Sequence, residues 1–143
     1  MHLTRIVAST LLAVTVFGAG HAIAQDTSGT LSLELNTVKD TGSACRLTFV
    51  ASNSTGTDID QAVFETVIFD TSGSVALLSL FDFRELPADR PRVRQFDVPN
   101  ISCDTLGQAL INGANTCTVE GKASEVCSSS LTLNSRISVD LIG

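Results

Sequence analysis

Beyond residue 24 the chain has no histidine and no methionine, and tryptophan and tyrosine are absent throughout; His2, His21 and Met1 all fall in the first 24 residues. These gaps exclude whole chemistries. Without imidazole there is no Ser-His-Asp or Cys-His pair, no histidine-ligated zinc site and no common proton shuttle near neutral pH. Without tryptophan or tyrosine the usual platforms for stacking a sugar ring are missing. Positive charge is also scarce. Eight of the nine basic residues lie after residue 24, where all fifteen acids lie, so this part carries a net charge of −7. Phosphate contacts need an excess of positive charge, and a domain of this sign is not a general nucleic-acid binder.

Only one long hydrophobic run is present, and it is at the start. Arg5 is followed by an almost wholly apolar stretch, Ile6 to Gly18, and then by Ala22-Ile23-Ala24. A basic start, a short apolar segment and a small-x-small site predict a secretory signal peptide over 1–24, cleaved before Gln25. The competing reading, a membrane anchor, needs about 20 apolar residues to span a bilayer. No cysteine follows the site and no twin arginine precedes it, so the expected product is exported by the general route without a lipid anchor. Residues 25–29 form a short tail, and 30–143 suit one domain.

Cys45, Cys103, Cys117 and Cys127 all belong to that domain, separated by 58, 14 and 10 residues. An even count in an exported chain predicts two disulfides. A four-thiolate metal site or a redox pair would usually show a C-x-x-C, and there is none. Of three connectivities, Cys45–Cys103 and Cys117–Cys127 is the expected one. No cofactor is expected.

Period-two alternation dominates the rest. Leu31, Leu33 and Leu35 alternate with polar residues, then Cys45, Leu47, Phe49 and Ala51 share a face. Polar clusters at Asp40–Ser43 and Ser52–Asp58 read as turns. Gln61–Asp70 is apolar on both faces and suits a central strand. Asp70-Thr71-Ser72-Gly73 fits a type I turn into a strand over Val75–Phe83. Arg92–Val98, between Pro91 and Pro99, reads as an edge strand. Ser102–Asn115 fits a helical face or a short strand equally, whereas Leu131–Leu141 alternates as one last strand. The predicted fold is all-β, an antiparallel sandwich of six to seven strands stapled by two disulfides.

The stretch Val67-Ile68-Phe69-Asp70-Thr71-Ser72-Gly73-Ser74-Val75 resembles a hairpin of small exported immunoglobulin-like modules, such as the FxLYD-type domains of bacterial envelopes. Asn53-Ser54-Thr55-Gly56 is similar to the turn one strand earlier in those modules. The resemblance spans Leu47 to Val98 and departs from the pattern in its four cysteines. It implies an immunoglobulin-like sandwich and an accessory, non-enzymatic role in a periplasm or outside the cell. It brings no functional residues with it.

Four basic residues, Arg84, Arg90, Arg92 and Arg94, interrupt the acidic chain. Arg90, Arg92 and Arg94 at spacing two would project from one face of an extended segment. Guanidinium forks so arranged can clamp carboxylate or phosphate, which makes them the candidate site for an anionic protein or envelope glycan. The competing reading is that these charges guard an exposed edge and pair with Glu85, Asp89 or Asp97.

Other candidates carry less. Asp58-Ile59-Asp60 begins a calcium pattern that Ala62 breaks, so a solvated turn is expected. Asp58 with Asp60, or Asp82 with Glu85, supplies paired carboxylates but nothing that marks one as a protonated acid. A Ser-Lys device would have to use Lys39 or Lys122, both expected in turns, and no G-x-S-x-G is present. Asn53-Ser54-Thr55 and Asn100-Ile101-Ser102 match the glycosylation triplet, which matters only in a host that modifies it. The sequence therefore points to a non-enzyme, an interaction module that meets its partner through a sheet edge or loops. A self-assembling surface subunit is the alternative.

Overall fold

The computed structural model describes residues 29–143. The predicted signal peptide and residues 25–28 of the predicted tail lie outside them. Nine strands follow in order: β1 (Leu31–Asp40), β2 (Ala44–Asn53), β3 (Ile59–Asp70), β4 (Val75–Leu86), β5 (Arg92–Pro99), β6 (Leu106–Val119), β7 (Lys122–Ala123), β8 (Leu131–Ser135) and β9 (Asp140–Ile142). A single helical turn, α1 (Val126–Ser129), precedes β8. One sheet has the order β5-β2-β1-β8, and the other β4-β3-β6-β7 with β9 beside β6.

The alternating strands bury their apolar faces between these sheets. Leu31, Leu33 and Leu35 of β1 and Cys45, Leu47 and Phe49 of β2 are fully buried. Phe64 and Ile68 of β3 and Phe83 of β4 meet them from the other side. β3 sits between β4 and β6, which accounts for its two-sided apolarity: its outward Val63 and Val67 are also buried. The fold is an all-β sandwich, as expected. Seven strands have five residues or more, and β7 and β9 are short additions.

The pairing is more mixed than a purely antiparallel sandwich. β8 runs parallel to β1, and β9 runs parallel to β6. The segment read as one last strand breaks at Arg136–Val139 and crosses from one sheet to the other. Ser135 holds this corner, its hydroxyl donating to the Val139 carbonyl at 2.6 Å. Leu131, Leu133, Ile137, Val139 and Leu141 belong to the core or pack against it along the way, so the period-two pattern survives the crossing.

Ser102–Asn115 is a 3-10 turn, Cys103–Thr105, followed by β6. Three register shifts against β3 leave Gly107, Asn112 and Asn115 as extra residues. Each adds one position, so the buried residues Leu106, Ala109, Ile111 and Cys117 depart from strict alternation.

Both disulfides have the expected pairing. Cys45–Cys103 ties the start of β2 to the turn before β6, and Cys117–Cys127 ties β6 to α1. The β3–β4 hairpin closes on a type I turn, with the Gly73 N–H donating to the Asp70 carbonyl at 3.0 Å. Gly73 has a φ of 83°, a conformation that favours glycine.

The side between β4 and β5 as candidate site

The two sheets end on the same side of the sandwich, β4 at the edge of one and β5 at the edge of the other. A phenylalanine cluster closes the interior here. Phe81 of β4 stacks on Phe96 of β5 with centroids 4.2 Å apart, and Phe49 and Phe83 meet edge to face at 5.4 Å. Above the cluster lies an open groove of about 570 Å³. Leu80, Val93 and Phe96 form its apolar side, and Asp82, Arg84 and Arg94 its polar side.

The predicted arginine strip is divided. Arg92 and Arg94 share the half-buried face of β5 with Phe96 and lean towards β4. Arg94 Nε donates to the Phe83 carbonyl at 2.6 Å, and its Nη2 donates to the Glu85 carbonyl at 3.1 Å. The same nitrogen lies 3.2 Å from the Glu85 carboxylate, and Arg92 Nε lies 3.6 Å from it. Arg90 precedes β5 and is exposed, as is Arg84 on β4. Among the described residues neither makes an ion pair. Asp97 takes no arginine of the strip; it forms a two-bond pair with Arg46 at 2.7 and 2.8 Å. Three carboxyls are held below their ordinary values: Asp97 by the Arg46 hydrogen bond, Asp70 by Ser72 and Ser74, and Glu85 by its own backbone N–H and the Arg94 and Arg92 charges.

Arg84 marks a bulge. Its φ is 59°, and the register with β3 shifts between Ala62 and Val63. The Asp82 carboxylate accepts the Arg84 N–H at 2.8 Å, while Arg94 covers the Phe83 carbonyl. Both backbone groups released by the bulge therefore find side-chain partners, as polar groups beside a core require.

Three further aspartates hold the backbone. Asp58 accepts the Ala88 N–H at 2.7 Å and Asp60 accepts the Gly121 N–H at 2.8 Å, so the two carboxylates fix two different loops. Asp40 accepts the Cys103 N–H at 2.9 Å. No group of three or more potential metal ligands occurs among the described residues. Lys39 lies within β1 and Lys122 within β7, on strands and not in the turns expected for them, and both are exposed. Asn53 is buried, its amide donating to the carbonyls of Thr57 and Leu86 at 2.8 and 2.7 Å. Asn100 is exposed in a turn with φ 59°.

One feature of this side was missed as a site although its strand was predicted. Val75, Leu78 and Leu80 are 60%, 59% and 51% exposed on an edge strand. The signal was present: Val75-Ala76-Leu77-Leu78-Ser79-Leu80-Phe81 carries no charge and no proline.

The geometry defines an all-β sandwich with two structural disulfides and an open, partly apolar edge. Two disulfides suit an oxidising, exported environment, and no helix of the described residues is long and apolar enough to cross a membrane. Compared with protein-family models, curated proteins and solved structures, the chain matches none.

Proposed function

We propose that the chain is an exported, non-catalytic accessory module of the cell envelope, an immunoglobulin-like domain of FxLYD type acting in the periplasm or outside the cell. It engages a protein or anionic envelope partner through the β4–β5 side. The observation that carries this reading is the open groove there, with the unpaired Arg84 on its wall and the exposed Arg90 at the start of β5. In a domain of net charge −7 these two guanidinium groups are available to a carboxylate or phosphate. Arg92 and Arg94 contribute positive potential while holding β5 to β4. The hairpin turn at Asp70–Gly73 and the two disulfides support the exported-module class. The commitment of Asp58, Asp60 and Asp82 to backbone N–H groups weighs against carboxylate chemistry.

Cross-linking capture from native envelopes tests it, with the exported chain run beside an Arg84→Glu, Arg90→Glu variant. A discrete partner retained by the first and lost by the second is expected. Equal capture by both overturns the arginine assignment, and capture by neither overturns the module reading. Self-assembly is the second reading, favoured by the uncharged apolar run of β4.

A further inference from the structure

Sheet edges expose unpaired backbone groups, and proteins guard them with charge, proline, bulges or shortness. Most edges here are guarded. β5 carries Arg92, Arg94, Asp97 and Pro99; β8 has five residues; β9 has three; and β7 has two, including Lys122. The C-terminal part of β4 is closed by its bulge, with Asp82 on the Arg84 N–H and Arg94 on the Phe83 and Glu85 carbonyls. The N-terminal part is left open. From Leu77 to Asp82, past the extra residue Ala76, it pairs regularly with β3, and three of the five exposed large hydrophobics among the described residues, Val75, Leu78 and Leu80, lie on the N-terminal part of the strand.

We infer that this open half of β4 pairs with the same half of a second copy, antiparallel about a two-fold axis at Ser79, joining the two β4-containing sheets into one. This rests on the reading that the β4–β5 side is a contact surface, and it names a second copy as the occupant. Side chains in a joined sheet must keep their faces, so only registers that pair outward with outward residues are allowed. Centring on Ser79 places Leu78 opposite Leu80 of the second copy on the outer face, and Leu77 opposite Phe81 on the inner face. Moving the centre to Leu80 would set Leu78 against Asp82 instead. Moving it to Leu78 would set Ala76 against Leu80 and shorten the overlap.

Charge also fits the chosen register. The C-terminal end of β4, with the unpaired Arg84, comes to lie beside the Asp70–Ser74 turn of the second copy, where Asp70 is ionised and held by Ser72 and Ser74. The outer face is apolar across the sheet as well, since Leu78 lies opposite Val67, Val67 opposite Leu110, and Leu110 opposite Ile142. One strand pair with its flanking side chains buries less than about 1,200 Å² in total, at the low end of specific interfaces. The dimer is therefore weak and concentration-dependent, and its isologous interface closes without forming fibres.

A cysteine at the axis tests this directly. The full chain carrying Ser79→Cys, exported with its own leader so that the native disulfides form, is mildly oxidised and mapped by mass spectrometry. Directly opposite residues lie about 4.5–5.5 Å apart, within disulfide range, whereas diagonal ones lie at about 7–8 Å. A covalent dimer linked through the two introduced thiols is expected for Ser79→Cys, and Leu78→Cys alone should stay monomeric. Adding Leu80→Glu to Ser79→Cys should cut the cross-linked yield at least tenfold. A monomeric Ser79→Cys, or equal cross-linking by Leu78→Cys, overturns the inference. Envelope capture that persists without self-cross-linking would leave the module reading standing while this one falls. Self-cross-linking with no other partner captured would do the reverse.

Discussion

Arg94 of β5 donates to the Phe83 carbonyl of β4 at 2.6 Å, so a side chain from one sheet completes the backbone hydrogen bonding of the other. The second arm of the guanidinium reaches the Glu85 carbonyl at 3.1 Å. One planar fork thus spans the two carbonyls on either side of Arg84, a geometry that an ammonium on a flexible stem does not preorganise. Arg94→Met is expected to lower stability by about 1–2 kcal/mol, the usual scale for charge-assisted hydrogen bonds at a partly solvated site. Arg94→Lys should recover less than half of that loss. Urea denaturation midpoints at constant slope decide the matter, and an Arg94→Lys variant as stable as the parent would show that charge alone suffices.

Asn53 is the other polar group the fold depends on. Its Nδ2 bridges the Thr57 and Leu86 carbonyls, while its Oδ1 accepts from the Thr55 N–H and hydroxyl at 3.0 and 2.7 Å. It therefore locks the β2–β3 turn onto the end of β4. Asn53→Ala leaves the buried Leu86 carbonyl without its side-chain donor, and a loss of about 2–3 kcal/mol is expected. The same geometry predicts no glycan at Asn53 even in a glycosylating host, because the amide nitrogen is buried and engaged. Intact-mass measurement after expression in such a host would show it.

Acid should weaken the fold through a few surface carboxylates. Asp70, Asp97 and Glu85 all have folded values below the ordinary ones, the first through Ser72 and Ser74 and the second through Arg46. A lowered folded value means that the stabilisation is complete above the ordinary carboxylate range, about pH 4, and is lost as pH falls through the folded values. The melting temperature should hold between neutral pH and that range and decline below it. An Asp70→Asn, Asp97→Asn variant should begin lower and decline less steeply. Parallel declines for the two proteins would place the acid sensitivity elsewhere.

Strands whose burial keeps period two were legible in the sequence, β1, β2 and the proline-flanked edge strand β5, and so was the central β3 through its apolar residues on both faces. β6 was not, because Gly107, Asn112 and Asn115 each insert a residue and push its buried positions towards helical spacing. The break between β8 and β9 was hidden for the opposite reason. Inward positions continue in phase across the corner, so nothing in the pattern marks the change of sheet. At the candidate site the arginines were conspicuous as charges, but spacing alone could not show that Arg92 and Arg94 turn towards Glu85 while Arg84 and Arg90 do not. That division depends on which strand lies across the gap, a relation set by tertiary packing. The uncharged, proline-free run Val75–Phe81 was visible in the sequence, but composition does not distinguish the outward from the inward face of an edge strand.

The two disulfides should differ in what they contribute. Cys45–Cys103 closes a loop of 58 residues between the front of β2 and the turn before β6, and Cys117–Cys127 closes one of 10 within β6 and α1. Loop-closure entropy in the unfolded chain gives about 4 kcal/mol for the first and about 3 kcal/mol for the second. Burial does not add to the gap, because Cys45 and Cys127 are both fully buried and the removal of either opens space among packed side chains. A Cys45→Ala, Cys103→Ala variant is therefore expected to be the less stable of the two pairwise variants by about 1 kcal/mol. Denaturant titration of both variants beside the parent measures this, and equal losses would mean that residual structure in the unfolded chain already holds the long loop together.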